Sequence, residues 1–141
     1  AKETGNRYGI DAIWKQGDLF EALGTTEEVR SETYRFDLIV SNPPYIRSDV
    51  IETLKPEVRD HDPYLALDGK EDGLFFYRRI IEASASYLKD GGWLMFEIGS
   101  DQGDAVSGMM QAAGFQSVSV KKDLAGLDRV VSGMYDKCEG F

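Results

Sequence analysis

The chain has 141 residues, 42% of them hydrophobic, with a formal net charge of −9 and one cysteine. A chain of this length can bury roughly two-thirds of its unfolded surface in one domain. The acidic balance disfavours a surface that tracks nucleic-acid phosphates, and no apolar run approaches the ~20 residues that a membrane helix needs.

The single cysteine, Cys138, excludes an internal disulfide and fits a reducing, cytoplasmic compartment. The only histidine, His61, lies in a polar segment and is expected to be an exposed loop residue. Because the sequence holds no Cys/His cluster, it predicts no metal site.

The N-terminal elements are predicted to be short. Residues 1 to 9 resemble the tail of a helix, because good helix formers lead to Tyr8-Gly9, a typical stop. No start signal precedes them, so the chain is expected to begin inside an element. Ala12 to Lys15 predicts a short strand that ends at Gln16-Gly17-Asp18, and Thr25 to Glu28 carries capping signals for a short surface helix.

A short apolar strand and a rigid corner follow. The run from Phe36 to Val40 predicts a strand covered on both faces, as in a parallel sheet. It stops at Ser41 to Tyr45, where two prolines cannot donate to a strand ladder and each fixes its own φ. Ligands bind at the carboxyl ends of strands in open α/β sheets, so the corner is a candidate site.

The corner carries groups that suit a planar ligand with an NH2. The side-chain carbonyl of Asn42 can accept one N–H and the carbonyl of Pro43 the other. The ring of Tyr45 can pack on the flat face of the bound group. The nitrogen lone pair then points away from both acceptors, toward an electrophile in a fixed direction. The alternative is a purely structural turn with Tyr45 as a core ring.

The second half of the chain predicts alternating helices and strands. Ile46 to Gly73 is long and irregular, as functional or mobile loops are. Asp72 can cap a helix that runs to about Leu88 and ends at Lys89 to Gly92. Trp93 to Ile98 is an apolar strand expected beside the Phe36 strand. The carboxylate of Glu97 in this strand must be paired or hydrated. Glu97 could contact the substrate or hold the corner in place.

The C-terminal elements complete an α/β sheet. Gln102 to Ala113 is predicted to be helical. Gln116 to Lys121 and Arg129 to Tyr135 are predicted to pair as an antiparallel hairpin at the sheet edge. The whole pattern indicates an α/β fold with a mostly parallel sheet that ends in this hairpin.

Asn42-Pro43-Pro44-Tyr45 after an apolar strand resembles the catalytic motif of S-adenosylmethionine-dependent amino and amide N-methyltransferases. Further segments in order narrow the resemblance to the HemK/PrmC family, which methylates a glutamine of peptide chain release factors. These segments are Gln16 to Phe20, Ala66 to Gly69, Glu71 to Leu74, Phe96 to Gly99 with Gln102-Gly103, and Asp128 to Val131.

The resemblance implies a class I methyltransferase, Rossmann-like fold. Residues 1 to 141 would be the C-terminal part of its single catalytic domain, with the first strands and the glycine-rich cofactor loop upstream. It also implies S-adenosyl-L-methionine as cofactor and a release factor as protein substrate. The implied cofactor-binding residues are Asp18, Leu19 and Asn42. The implied catalytic residues are Asn42, Pro43, Pro44 and Tyr45, and the implied substrate contacts are Asn42, Pro43, Tyr45 and Glu97.

Two alternatives stay open. An adenine-N6 DNA or RNA methyltransferase uses the same corner, although the acidic charge and the flanking motifs count against it. A fragment without the glycine-rich anchor could instead be a non-enzymatic module. The 141-residue chain alone is then expected to be inactive and to bind cofactor weakly or not at all. Its exposed sheet edge could pair with a second copy as a dimer.

Overall fold

A computed structural model describes residues 2–24, 35–54, 56–59 and 63–137. The chain divides into two compact units, Ala1–Tyr34 and Arg35–Phe141. The predictions for Thr25 to Glu28, for His61 and for Cys138 fall outside the described residues.

The first unit contains the predicted N-terminal helix and a 3-10 helix. Helix α1 (Lys2–Arg7) confirms the helical tail, and the 3-10 helix spans Leu19–Leu23. The strand predicted at Ala12 to Lys15 is wrong, because these residues have no regular secondary structure. Ile13 is 89% exposed, and Trp14 lies so close to α1 that a Cβ on Gly5 would be 2.5 Å from its ring. Trp14 therefore packs on the helix, not on a sheet.

The second unit is a four-stranded mixed sheet with helices. Its helices are α2 (Ser48–Ile51), α3 (Pro56–Arg59), α4 (Tyr64–Leu67), α5 (Phe75–Ser84) and α6 (Gly103–Ala112). Its strands are β1 (Phe36–Ser41), β2 (Leu88–Glu97), β3 (Gln116–Lys122) and β4 (Asp128–Met134), in the order β1-β2-β4-β3. β1 and β2 pair in parallel, whereas β4 is antiparallel to both β2 and β3. The structure confirms the α/β class, the adjacent positions of β1 and β2, and the C-terminal hairpin.

The core lies on one face of this sheet. Leu94, Phe96 and Ile98 of β2 and the following turn are each at most 1% exposed. Helix α6 lies against β3 and β4. Helix α5 reaches β2 through Tyr77, whose ring meets that of Phe96 edge-on at 5.1 Å between centroids. The residues that alternate with this set face the other side of the sheet.

That other side of β1 is exposed, which corrects the expectation of a strand covered on both faces. Leu38 is 50% and Val40 67% exposed, and Trp93, the partner of Leu38 in β2, is 36% exposed. Alternation along the strand therefore leaves an apolar strip open, while Ile39 is half-buried on the core side.

The helix expected to reach Leu88 ends at Ser84 instead. Lys89 to Gly92, predicted to end that helix, lie inside β2. The Phe36 N–H donates to the Tyr87 carbonyl at 2.7 Å, and the Lys89 ammonium pairs with Asp37 at 2.9 Å. These contacts with β1 place the segment in the sheet rather than in another helical turn.

The irregular segment between β1 and α5 holds the three short helices α2, α3 and α4 and one bridge. Ile46, directly after the corner, forms an isolated parallel bridge with Asp68. In the part of the chain that the structure describes, no helix combines the length and apolar character needed to span a bilayer.

Candidate functional site

The predicted corner lies at the carboxyl end of β1. The strand ends at Ser41, after which Asn42 is exposed, Pro43 is buried, and Pro44 and Tyr45 are half-buried. Because β1 and β2 are parallel and Ser41 pairs with Phe96, the adjacent Glu97 also lies at this end of the sheet. The structure therefore brings the corner and Glu97 to one edge.

Two hydrogen-bond acceptors at the corner are available. Among the described residues, no hydrogen bond engages the Asn42 side chain or the Pro43 carbonyl. Pro43 precedes a second proline, which restricts it to extended backbone and fixes the direction of its carbonyl. A carbonyl oxygen and an amide oxygen on adjacent residues can each accept one N–H of a planar NH2 group.

The backbone after the corner is locked against the loop that precedes α5. The Ile46 N–H donates to the Leu67 carbonyl at 3.1 Å, and the Gly69 N–H donates back to the Ile46 carbonyl at 2.8 Å. The approach is so close that a Cβ on Gly69 would lie 2.8 Å from the Cα of Tyr45. Only glycine fits there without displacing the corner. The segment from Ala66 to Gly69, one of the family motifs, therefore has a structural role.

Two clefts open at the corner, and Tyr45 and Ile46 line both. The smaller, of about 310 Å³, is also lined by Asn42, Pro43, Ala66 and Leu67. The larger, of about 510 Å³, is otherwise lined by Arg47, Val50, Leu54, Asp72, Leu74, Gly99, Ser100, Asp101, Gln102, Ala105 and Arg129. Asn42 and Pro43, the residues that carry the available acceptors, therefore line the smaller cleft.

Most of the charged groups on the wall of the larger cleft are held in ion pairs. Arg47 pairs with Asp49 at 2.7 Å, and Asp72 pairs with Arg78 at 2.8 Å. The Arg78 hydrogen bond, supported by the Leu74 N–H, lowers the pKa of Asp72 from 3.8 to about 2. The paired arginines and carboxylates largely neutralise one another, whereas Asp101, also on this wall, makes no ion pair with a described residue.

Arg129 and Tyr77 connect this wall to Glu97. Arg129 donates to the Ile98 carbonyl at 3.2 Å and pairs with Asp123 at 3.2 Å. The Asp123 hydrogen bond raises the Arg129 pKa, and the charge of Glu97 adds to that effect. Burial raises the pKa of Tyr77 far above its ordinary value, and the charge of Glu97 adds to it. Arg129 and Tyr77 therefore both lie within electrostatic range of Glu97.

Sequence reasoning missed one residue of this region. Gln102, noted only within a family motif, is 8% exposed and donates to the Tyr45 carbonyl at 3.0 Å. Two signals in the sequence were available. A glutamine stands between a turn and an apolar helix, and it directly precedes a glycine at the helix start.

Asp18 and Leu19 belong to the first unit, whereas both clefts are lined by residues of the second. Asp18 is exposed and precedes the 3-10 helix without capping it through its side chain, and Leu19 is half-buried. Among the residues that the structure describes, no group of three His, Cys, Asp or Glu side chains could hold a metal ion.

No protein-family model matches the chain. The release factor glutamine methyltransferase of Geobacter sulfurreducens is 47% identical to it over 133 residues, which are 94% of this chain and 44% of that protein. The protein of the same name from Clostridium botulinum is 56% identical over 106 residues, 75% of this chain and 37% of the relative. The chain thus spans less than half the length of these curated relatives.

Among solved structures, the release factor-specific protein-(glutamine-N5) methyltransferase of Alicyclobacillus acidocaldarius is similar to the chain with a TM-score of 0.49 and 29% identity. The match covers 77% of this chain and 54% of that one.

Proposed function

Because the chain belongs to the family of release factor glutamine methyltransferases, we propose that its Asn42–Tyr45 corner holds the side-chain amide of a glutamine for N-methylation. The full-length protein would transfer a methyl group to that nitrogen in a peptide chain release factor. The observation that carries the proposal is the pair of available acceptors, the Asn42 amide and the Pro43 carbonyl, in the smaller cleft.

The corner answers the main chemical difficulty of this reaction. An amide nitrogen is a weak nucleophile because its lone pair is delocalised into its carbonyl. Hydrogen bonds from its two N–H groups to Asn42 and Pro43 would draw electron density back to the nitrogen and fix the plane of the amide. The rigid diproline keeps these acceptors aimed without reorganisation, which is the condition for efficient orientation of a reactant.

Tyr45 and the solvent complete the proposed site. The ring of Tyr45 lines the cleft that contains the acceptors and would pack on the flat amide. Asn42 is exposed, so the proton displaced from the nitrogen can pass to water after transfer. Glu97, at the end of the neighbouring strand, would contact the substrate or steady the corner. No covalent intermediate on the protein is needed.

The cofactor is S-adenosylmethionine. When bound, it supplies a methyl group that is attached to a sulfonium sulfur. In the first unit, Asp18 and Leu19 would contact the cofactor, and in the second unit Asn42 is the residue proposed for this role. Their chemistry suits the group: an exposed carboxylate can accept N–H or O–H donors of adenosine, and the half-buried Leu19 next to it offers an apolar side chain to a ring. The proposed location is the cytoplasm, since the sequence has one cysteine and no internal disulfide to keep oxidised.

The test replaces Asn42 in the full-length protein. We expect Asn42→Ala to lower turnover on a release factor on the order of a hundredfold, as loss of one preorganised hydrogen-bond partner does. Cofactor binding, measured by calorimetry, should be largely retained. Asn6→Ala makes the same truncation at an exposed position of α1 and should leave turnover unchanged.

Two results would overturn the proposal. One is near-normal turnover of Asn42→Ala. The other is transfer to adenine in DNA or RNA, with none to the release factor, when both acceptors are offered to the wild-type protein and the products are identified by mass. The second result would assign the corner to the amino group of adenine, which presents the same two N–H donors.

A further inference from the structure

The buried side chain of Gln102 makes four contacts at hydrogen-bond distance. Its Nε2 donates to the Tyr45 carbonyl at 3.0 Å and lies 3.3 Å from the Gly73 carbonyl. Its Oε1 accepts the Gly99 N–H at 3.0 Å and lies 3.3 Å from the Tyr77 hydroxyl. The NH2 group faces two carbonyls and the oxygen accepts a backbone N–H. A flipped amide would face acceptors with an acceptor, so the side chain has a single satisfied orientation.

The two ends of this amide serve different parts of the structure. The NH2 end holds carbonyls of the corner and of the loop before α5. The oxygen end holds the turn after β2 and helix α5. Gln102 itself stands at the start of α6. One side chain therefore connects the corner to the end of β2 and to two core helices.

The space around the Tyr45 carbonyl is closed on its other side by Gly73. A Cβ on Gly73 would lie 2.5 Å from that carbonyl oxygen and 2.9 Å from Gln102 Nε2. Gly73 also has a φ of +73°, which favours glycine. The loop at Gly73 thus lies as close to the Tyr45 carbonyl as a backbone can. That carbonyl is held between the loop and the amide of Gln102.

We propose that Gln102 is a positioning residue, which acts through Tyr45 to keep the Asn42 and Pro43 acceptors aimed at the substrate amide. The inference rests on the proposed function. Pro44 has a fixed φ and separates the Pro43 carbonyl from Tyr45 by one residue, so a rotation at Tyr45 is passed to the acceptors with little loss. The bridge from Ile46 to Asp68 fixes the chain on the far side. Without Gln102, the corner keeps only its sheet pairing at Ser41 and this bridge at Ile46, and nothing holds the Tyr45 carbonyl from the side of α6.

The asymmetry of the amide provides a sharp test in the full-length protein. Gln102→Glu keeps oxygen acceptors for Gly99 and Tyr77, but a carboxylate cannot donate to the Tyr45 and Gly73 carbonyls. Tyr77→Phe is the matched control, because it removes the hydroxyl near the oxygen end, together with its 3.0 Å bond to the Glu97 carbonyl, and leaves the Gln102 bond to Tyr45. Gln102→Met, which fills a similar volume without charge or donor, serves as a second variant if the glutamate variant does not fold.

Two readouts are measured for each variant. The first is kcat and KM on a release factor, together with the cofactor Kd. The second is backbone hydrogen exchange of a peptide covering residues 42 to 50, which needs no substrate. For Gln102→Glu and Gln102→Met we expect kcat to fall on the order of tenfold, with KM and the cofactor Kd within about twofold and faster exchange at residues 42 to 50. Tyr77→Phe should keep the wild-type kcat and exchange in that peptide.

The outcomes separate this inference from the proposed function. Wild-type exchange at residues 42 to 50 in both Gln102 variants overturns the positioning role, whether or not the protein methylates glutamine. Equally faster exchange at residues 42 to 50 in Tyr77→Phe also overturns it, because loss of a contact away from the NH2 end would then loosen the corner as much. A wild-type protein that methylates no glutamine overturns the proposed function alone, and the exchange data still decide whether Gln102 fixes the corner.

Discussion

Tyr45 lines both clefts, and substitutions can separate the role of its ring from that of its hydroxyl. If its ring face packs on the substrate amide, Tyr45→Phe keeps the contact and Tyr45→Ala loses it. We therefore expect Tyr45→Phe to retain turnover within a few-fold of wild type, and Tyr45→Ala to lose on the order of tenfold or more. Steady-state turnover of the full-length protein on a release factor measures both.

The contrary result has a structural interpretation. If Tyr45→Phe is as inactive as Tyr45→Ala, the hydroxyl carries the effect and stacking does not. Arg129 is near enough to interact electrostatically with Tyr45, so Arg129→Gln would then be the variant to compare.

At the residue scale, the sequence predicted the corner well because its signals are local. Two consecutive prolines after an apolar run define a rigid turn, and parallel pairing of neighbouring strands places Glu97 at the same edge. Gln102 was missed because its partner Tyr45 is 57 residues away in sequence. No local pattern encodes a contact of that separation, and a glutamine before a helix is otherwise an ordinary surface residue.

At the element scale, the stability of the segment at the start of α5 depends on pH. The Asp72 carboxylate pairs with Arg78 at 2.8 Å and accepts the Leu74 N–H at 3.0 Å. These bonds lower its pKa from 3.8 to about 2, so the folded state favours the ionised carboxylate. Its contribution to stability is present above pH 3.8 and is lost as the pH falls toward about 2. An exposed pair of this kind contributes about 0.5 kcal/mol.

We expect Asp72→Asn to flatten the fall of the unfolding free energy between pH 3.8 and about 2. Urea unfolding at several pH values in that window measures it. Arg78→Gln removes the larger cause of the pKa shift but leaves the Leu74 bond, so it should flatten the curve only in part. An Asp72→Asn curve parallel to wild type would show that the ion pair forms no more readily in the folded state than in the unfolded chain.

The end of α5 shows where helical periodicity misleads. Leu88 continues the spacing of the buried face of the helix, and it is 0% exposed as expected. It reaches the core as the first residue of β2, however, opposite Phe36. The sequence predicts that Leu88 is buried, but a helix and a strand satisfy that burial equally well. The backbone hydrogen bond from the Phe36 N–H to the Tyr87 carbonyl favours the strand, and it joins segments that are distant in sequence.

At the scale of the whole molecule, the same limit applies to Ala12 to Lys15. A strand is stable only when a neighbour accepts its hydrogen bonds and a packed layer covers one face. The segment has the apolar residues for a strand, but in the described part of the first unit no strand lies beside it. The propensity of the segment was predictable from its residues, whereas the presence of a partner was not.

The apolar strip of β1 leads to the last prediction. Leu38 and Val40 are 50% and 67% exposed, and β1 pairs with β2 alone among the described strands. A strand with an open edge and exposed apolar side chains favours pairing with another chain. We therefore expect the 141-residue chain to self-associate as its concentration rises, with a second copy covering the strip. Sedimentation velocity over a concentration series measures this association.

A charge on the strip should oppose that association. Val40→Lys adds a charge beside the open edge, a device by which proteins protect edge strands, and should shift the chain toward monomer at each concentration. Leu124→Lys is the matched control, because Leu124 is fully exposed in the turn between β3 and β4 and lies outside the strip. The prediction fails if the wild-type chain is monomeric throughout the series. It also fails if both variants shift the equilibrium equally, since added charge alone would then account for the change.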